Sequence, residues 1–227
     1  ALPIFFDADT AQGSDVIVEA TDASGGVDRL DFSPTNTQPI TINLSVGALQ
    51  IVAGPNLSLT ITANAIENVT GGDLSDTITG SSQSNVLAGG KGDDRYVFDF
   101  DSAQGADSIV EGVAVGDGVD TIDFSLTTTV GATIDLSVTS SQNVAAGLLS
   151  LALSNGNAIE NVVGSAQNDI IAGNGANNSL TGGAGNDRYV FDLDLSLGSD
   201  RIDEAGGGID TIDFSNSTTT GATIDLS

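Results

Sequence analysis

The chain has 227 residues, with 31 acidic against 5 basic side chains, no histidine and no cysteine, for a formal net charge of −26. That balance excludes the basic face a nucleic acid requires and argues against an anionic membrane surface, while the lack of cysteine removes disulfides and thiolate metal sites. With 39% hydrophobic residues the chain has the apolar content of a globular protein, so a fold that repels itself invites counter-cations.

At the N-terminus, ALPIFFDADT has neither a basic leader nor a long apolar core, and no later run is long enough to span a membrane. Export by another signal, or a window cut from a longer array, is the expectation. The stretch from Pro3, PIFFDADTAQGSDVIVEATDASGGVDRLDFS, returns as RYVFDFDSAQGADSIVEGVAVGDGVDTIDFS from Arg95 and as RYVFDLDLSLGSDRIDEAGGGIDTIDFS from Arg188. AIENV recurs at Ala65 and Ala158, and GATIDLS at Gly131 and Gly221. With the Tyr-Val-Phe run as boundary, the units are 4–95, 96–188 and a partial 189–227.

Inside each unit DRYVFDL, DTIDFS, ATIDLS and LSLALS alternate apolar and polar residues between Gly, Asn, Asp and Ser, which predicts short strands. The 29 glycines interrupt too often for long helices. Only QNVAAGLLSLALSNGNAIENV, from Gln142, leaves a helical turn open. Tandem periodicity favours an all-β solenoid over a sandwich or a barrel.

Before each RYVF the sequence divides into gapless nonapeptides. They are GGDLSDTIT, GSSQSNVLA and GGKGDDRYV over 71–97, then GSAQNDIIA, GNGANNSLT and GGAGNDRYV over 164–190. Position one is always Gly, position six runs Asp, Asn, Asp, and position eight runs Ile, Leu, Tyr in both sets. Glycine lets the turn take positive φ and approach a ligand closely, and aspartate adds a hard oxygen of the kind Ca²⁺ prefers. Position eight points into a core because side chains alternate along a strand.

These nonapeptides resemble the repeats-in-toxin (RTX), haemolysin-type family, whose G-G-x-G-x-D-x-U-x repeat binds calcium. The resemblance implies a parallel β-roll with two nonapeptides per coil, so that Asp76 faces Asp94 and Asp169 faces Asp187 about 4.8 Å apart. At an effective dielectric of about 20, two carboxylates so placed repel by about 3 kcal/mol, and one Ca²⁺ is expected between each pair. The family pattern adds the carbonyls of Gly71 and Asp73 with those of Gly90 and Gly92, and in the second set those of Gly164, Ala166, Gly183 and Gly185. Leu74 and Gln167 depart from the pattern at position four. The middle repeats carry Asn85 and Asn178, nearly one coil after Asn68 and Asn161, and stacked amides without calcium are expected on that edge.

Three further features have competing readings. Asp7, Asp9 and Asp15, recurring as Asp99, Asp101 and Asp107 and as Asp192, Asp194 and Asp200, lack the ligands of an EF-hand and read as a solvated acidic loop before a second calcium loop. Thr60, Thr62, Thr77, Thr79, Thr127–Thr129 and Thr218–Thr220 fit an ice-binding face, yet threonine is favoured in any strand. Tyr96, Phe98, Tyr189 and Phe191 read as core, and Arg95 and Arg188 as partners of nearby aspartates. With no His or Cys to activate or act as a nucleophile, a non-enzymatic role is expected. The leading reading is a calcium-stabilised repetitive region of a secreted or cell-surface protein, such as an adhesin stalk, surface layer or filament, able to self-associate into a fibre. The resemblance implies an extracellular location and type I export. The alternatives are the C-terminal RTX secretion and folding region of an extracellular hydrolase, or a carbohydrate- or ice-binding solenoid.

Overall fold

The structure, a computed structural model, describes residues 3–19, 26–204 and 206–224. Among these every regular element is a short strand. In chain order they are β1 (Ile4–Phe5), β2 (Gly13–Ile17), β3 (Arg29–Asp31), β4 (Thr41–Asn43), β5 (Gln50–Ala53), β6 (Leu57–Ile61), β7 (Asn68–Thr70), β8 (Thr77–Thr79), β9 (Val86–Ala88), β10 (Arg95–Val97) and β11 (Gly105–Ile109). They continue with β12 (Thr121–Asp123), β13 (Thr133–Asp135), β14 (Gln142–Ala145), β15 (Leu149–Leu153), β16 (Asn161–Val163), β17 (Ile170–Ala172), β18 (Ser179–Thr181), β19 (Arg188–Val190), β20 (Arg201–Asp203) and β21 (Thr211–Asp213). No helix among the described residues is long and apolar enough to cross a membrane.

The chain winds into an all-β parallel roll. One face reads β1-β3-β7-β9-β11-β15-β14 and continues through a contact between β14 and β13 into β13-β17-β19-β21. The other reads β2-β6-β5 and continues in the same way into β4-β8-β10-β12-β16-β18-β20. Through the nonapeptides Thr77 pairs with Arg95 and Ile170 with Arg188, a coil of 18 residues. Elsewhere coils lengthen, to 22 residues where Asp107 stacks on Asn85 and 26 where Asp120 stacks on Asp94. β4 to β12 answer one for one to β13 to β21. Because that unit contains an odd number of strands, the turns holding Asp76 and Asp94 lead into one face, and those holding Asp169 and Asp187 into the other.

Position eight of each nonapeptide lines the inside of the roll. Ile78, Leu87, Tyr96, Ile171, Leu180 and Tyr189 are all buried. The Phe-Asp-x and Asp-Phe-Ser segments add ring pairs, with Phe6 on Phe32 at 5.3 Å, Phe100 on Phe124 at 5.4 Å and Phe191 by Phe214 at 5.9 Å. Burying each such ring contributes about 1.5–3 kcal/mol. Tyr96, Phe98 and Tyr189 are core, as their pattern implies, and Phe191 packs against the core while partly buried.

The segment that left a helical turn open is instead a hairpin. β14 pairs antiparallel with β15, and β5 with β6 at the matching place in the unit before, each with a register shift midway. No backbone ladder joins β14 to β13 or β5 to β4, and a glutamine side chain spans each seam. Gln142 Oε1 accepts Asp135 N–H at 2.9 Å while its Nε2 donates to Asp135 O at 2.9 Å. Gln50 makes the same pair with Asn43 at 2.8 Å each way. The side-chain amide thus replaces the peptide group a neighbouring strand would have offered. The predicted strand after Gly221 is not formed at 221–224, and its last residues lie outside the described ones.

Candidate metal centre

Each coil begins with an acid or amide at the bend before the strand, and the roll stacks these residues in columns. On one edge Asp76, Asp94 and Asp120 lie in register, as the pairings of β8, β10 and β12 require. On the opposite edge Asp169, Asp187 and Asp210 do the same before β17, β19 and β21. The columns are stitched by one repeated bond, in which a carboxylate accepts the backbone N–H of the residue one coil earlier. Asp94 Oδ1 accepts Asp76 N–H at 2.7 Å, Asp120 Oδ1 accepts Asp94 N–H at 2.8 Å, and Asp187 Oδ1 accepts Asp169 N–H at 2.8 Å. Asp210 takes Asp187 N–H at 2.9 Å, and Asp107 takes Asn85 N–H at 2.7 Å.

This stitch occupies one oxygen of each upper carboxylate and leaves the other. Asp94 and Asp187 are each 1% exposed, and their Oδ2 atoms have no hydrogen-bond partner. A buried, unpaired carboxylate oxygen is costly unless a cation meets it. Burial pushes Asp94 up to about 9, helped by the charges of Asp76, Glu111 and Asp120, although the Asp76 amide opposes the shift. Burial also raises Asp76 and Asp169 to about 6, against the amides of Ile40 and Gly72 in one and of Ala132 and Ser165 in the other.

Hard oxygens converge where position one would otherwise carry a side chain. A Cβ on Gly71 would sit 2.1 Å from Asp76 Oδ2 and 2.2 Å from the carbonyl oxygen of Gly89 in the next coil. On the opposite edge a Cβ on Gly164 would sit 2.4 Å from Asp169 Oδ2 and 2.2 Å from Gly182 O. Carboxylate and carbonyl oxygens facing one small space, with unpartnered acids above them, form the donor set that Ca²⁺ takes, at about 2.3–2.6 Å. The residues present therefore fit calcium. Gly71→Ala and Gly164→Ala are expected to weaken calcium binding at their own turn at least tenfold by calorimetry, whereas Gly221→Ala, which meets nothing within 4 Å, leaves it unchanged.

The carbonyls expected as ligands sit in turns of unusual backbone. Gly90, Gly92, Gly183 and Gly185 have φ of 108°, 100°, 95° and 127°, and that backbone sets which way each peptide faces. The oxygen of Gly92 faces Gly118, and those of Gly183 and Gly185 face Gly206 and Gly208. What the structure gives of Asp73 and Ala166 is their amides, which donate to Thr35 O and Thr127 O at 3.0 Å each.

Asn85 and Asn178 lie on opposite edges, and neither stands in a stack of asparagines. Register pairs Asn68 with Val86, so Asn85 stacks on Glu67 and donates to Glu67 O at 3.0 Å, and Asn178 donates to Glu160 O at 3.1 Å. Asp107, in the coil after Asn85, is buried with Oδ2 unpartnered. The Asp-x-Asp loops divide their aspartates between two tasks. Asp107 and Asp200 join the columns, while Asp101 clamps the amides of Thr128 and Thr129 at 2.8 and 2.9 Å, and Asp194 clamps Thr218 to Thr220. Thr127 is buried, while Thr128 and Thr129 are exposed and held in a bend by Asp101. Arg95 pairs with Asp123 and Arg188 with Asp213, one coil on, and Lys91 with Asp73 at 2.7 Å.

Four acids escaped the sequence reading: Glu111, Glu204, Asp120 and Asp210. The tyrosine hydroxyls of Tyr96 and Tyr189 donate to Glu111 and Glu204. A signal existed for the aspartates, since GVDTI at Gly118 and GIDTI at Gly208 repeat positions four to eight of the nonapeptide.

Two known families match parts of the chain. Residues 154–189 match the RTX calcium-binding nonapeptide repeat (4 copies), and residues 4–111 match the peptidase M10 serralysin C-terminal region. No curated protein matches the chain.

Proposed function

For this chain, which carries the RTX calcium-binding nonapeptide repeat, we propose the role of a calcium-stiffened structural region within a larger secreted or cell-surface protein. The observation that carries it is the pairing of buried acids one coil apart, Asp76 with Asp94 and Asp169 with Asp187, around shared oxygen-lined turns. Calcium bound there supplies folding free energy, because an unfolded chain has no such site. Cytosol poor in calcium leaves the acidic chain loose enough for type I export. Outside, millimolar calcium fills sites with dissociation constants on the order of 10⁻⁴–10⁻³ M. The repeating units are 4–95, 96–188 and 189–227, and calcium fixes the length of each.

Stalk, surface layer and filament share this mechanics, and none asks for catalysis. A second reading, the C-terminal export and folding region of an extracellular protease, is favoured by the serralysin-type match over residues 4–111. Electron microscopy of the full-length protein with and without calcium separates the two. Rods or fibres that shorten or slacken on chelation support the structural array. A compact particle with one catalytic domain upstream of the roll replaces it with the second reading.

A further inference from the structure

We propose that the coil above the second nonapeptide set builds another divalent-cation site, from Asp187, Glu204 and Asp210. One oxygen of each carboxylate lies within 4.8 Å of the other two. Asp187 is 1% exposed, Asp169 N–H occupies its Oδ1, and its Oδ2 is buried without a partner. Asp210 Oδ1 is anchored by Asp187 N–H at 2.9 Å, and Glu204 is anchored by the Tyr189 hydroxyl. Glu204 also accepts the Gly182 N–H and hydrogen-bonds the Asp210 side chain, so the three acids are held together at one point while the group retains free lone pairs. All donors are oxygens, which selects a hard cation of the calcium class over zinc or copper.

The hydrogen-bond pattern recurs, although the three acids meet this closely only in the second set among the described residues. In the preceding unit Asp94 is 1% exposed with Oδ2 unpartnered, Asp120 Oδ1 takes its amide at 2.8 Å, and Tyr96 holds Glu111. Neither Asp120 nor Asp210 lies in a complete nonapeptide, and the glutamates come from loops outside the repeat altogether. The inference rests on the calcium reading of the roll because Asp187 serves both gaps, whereas Asp169 serves only the lower one and Glu204 only the upper.

That division supplies the test. Native mass spectrometry would count calcium on the wild-type chain and on Asp169→Asn, Glu204→Gln and the double variant. The expected counts are one ion fewer in each single variant and two fewer in the double. A Glu204→Gln protein that keeps the full count while Asp169→Asn loses an ion overturns this site and leaves the nonapeptide reading intact. Loss in Glu204→Gln alone upholds this site and removes the nonapeptide one. Should Glu204→Gln not fold, Glu204→Asp keeps the charge but withdraws the oxygen from Asp210. Titration is then expected to show one site weakened at least tenfold, and unchanged binding there overturns the proposal.

Discussion

Chelating calcium is expected to unfold the roll, with loss of the β-sheet circular dichroism signal and its return when calcium is restored. At about ten times its dissociation constant, which millimolar calcium reaches at a site of about 10⁻⁴ M, each ion contributes about 1.4 kcal/mol, so the two nonapeptide gaps together supply about 3 kcal/mol. A domain's whole stability is only about 5–15 kcal/mol. Removing the ions also exposes the cost they hide, since Asp94 and Asp187 keep buried oxygens with no partner and the chain carries a net charge of −26. Sodium chloride at equal ionic strength should not substitute, because screening acts on exposed charges and far less on buried ones. Magnesium should restore little, as it holds its water and demands a tight octahedron. A melting temperature that is the same in chelator and in calcium would falsify the calcium reading.

How much of this was legible in the sequence depends on what fixed each feature. The 18-residue coil was, because Gly at position one, Asp at six and Ile, Leu or Tyr at eight each answer to a local demand of a turn or a core. The hairpins of β14 with β15 and β5 with β6 were not. Alternation in LSLALS specifies a strand but not its direction, and only the packed roll shows Gln50 and Gln142 closing the seam. The pairing of Asp76 with Asp94 followed from the period, while the positive φ of Gly92 and Gly185 is a choice of sign that a glycine leaves open. Asn68 misled by one position, since 17 residues is nearly a coil but register takes 18. Glu111 and Glu204 follow β11 and β20 and stand 15 residues after Tyr96 and Tyr189 in both units, a spacing that lies outside the nonapeptide frame and was therefore passed over.

Protons should replace calcium. An acid whose pKa is higher in the folded chain than in the unfolded one binds more protons when folded, so its contribution to stability is fullest below the unfolded value and falls as pH rises. Burial places Asp76 and Asp169 in this class, raised from 3.8 to about 6, with Asp107 raised to about 7, Asp120 to about 8 and Asp94 to about 9. In metal-free protein the loss therefore begins as pH climbs through about 4. It is complete by about 6 for Asp76 and Asp169, and continues to about 9 for Asp94. Asp101 works the other way, because the Thr128 and Thr129 hydroxyls and amides hold it down at about 2; its contribution is present above about 4 and is lost as pH falls toward that value. The metal-free roll is accordingly most stable near pH 4, where the column acids are protonated and the threonine clamps still hold. With calcium bound the carboxylates are ligands, protons compete with the ion, and stability rises with pH over the same range. Melting curves of metal-stripped protein between about pH 4 and pH 7 are expected to fall, and those in saturating calcium to rise. A stripped protein whose melting temperature climbs with pH would mean that the column acids ionise freely without a cation, and that the buried pairing of Asp76 with Asp94 is not where the metal acts.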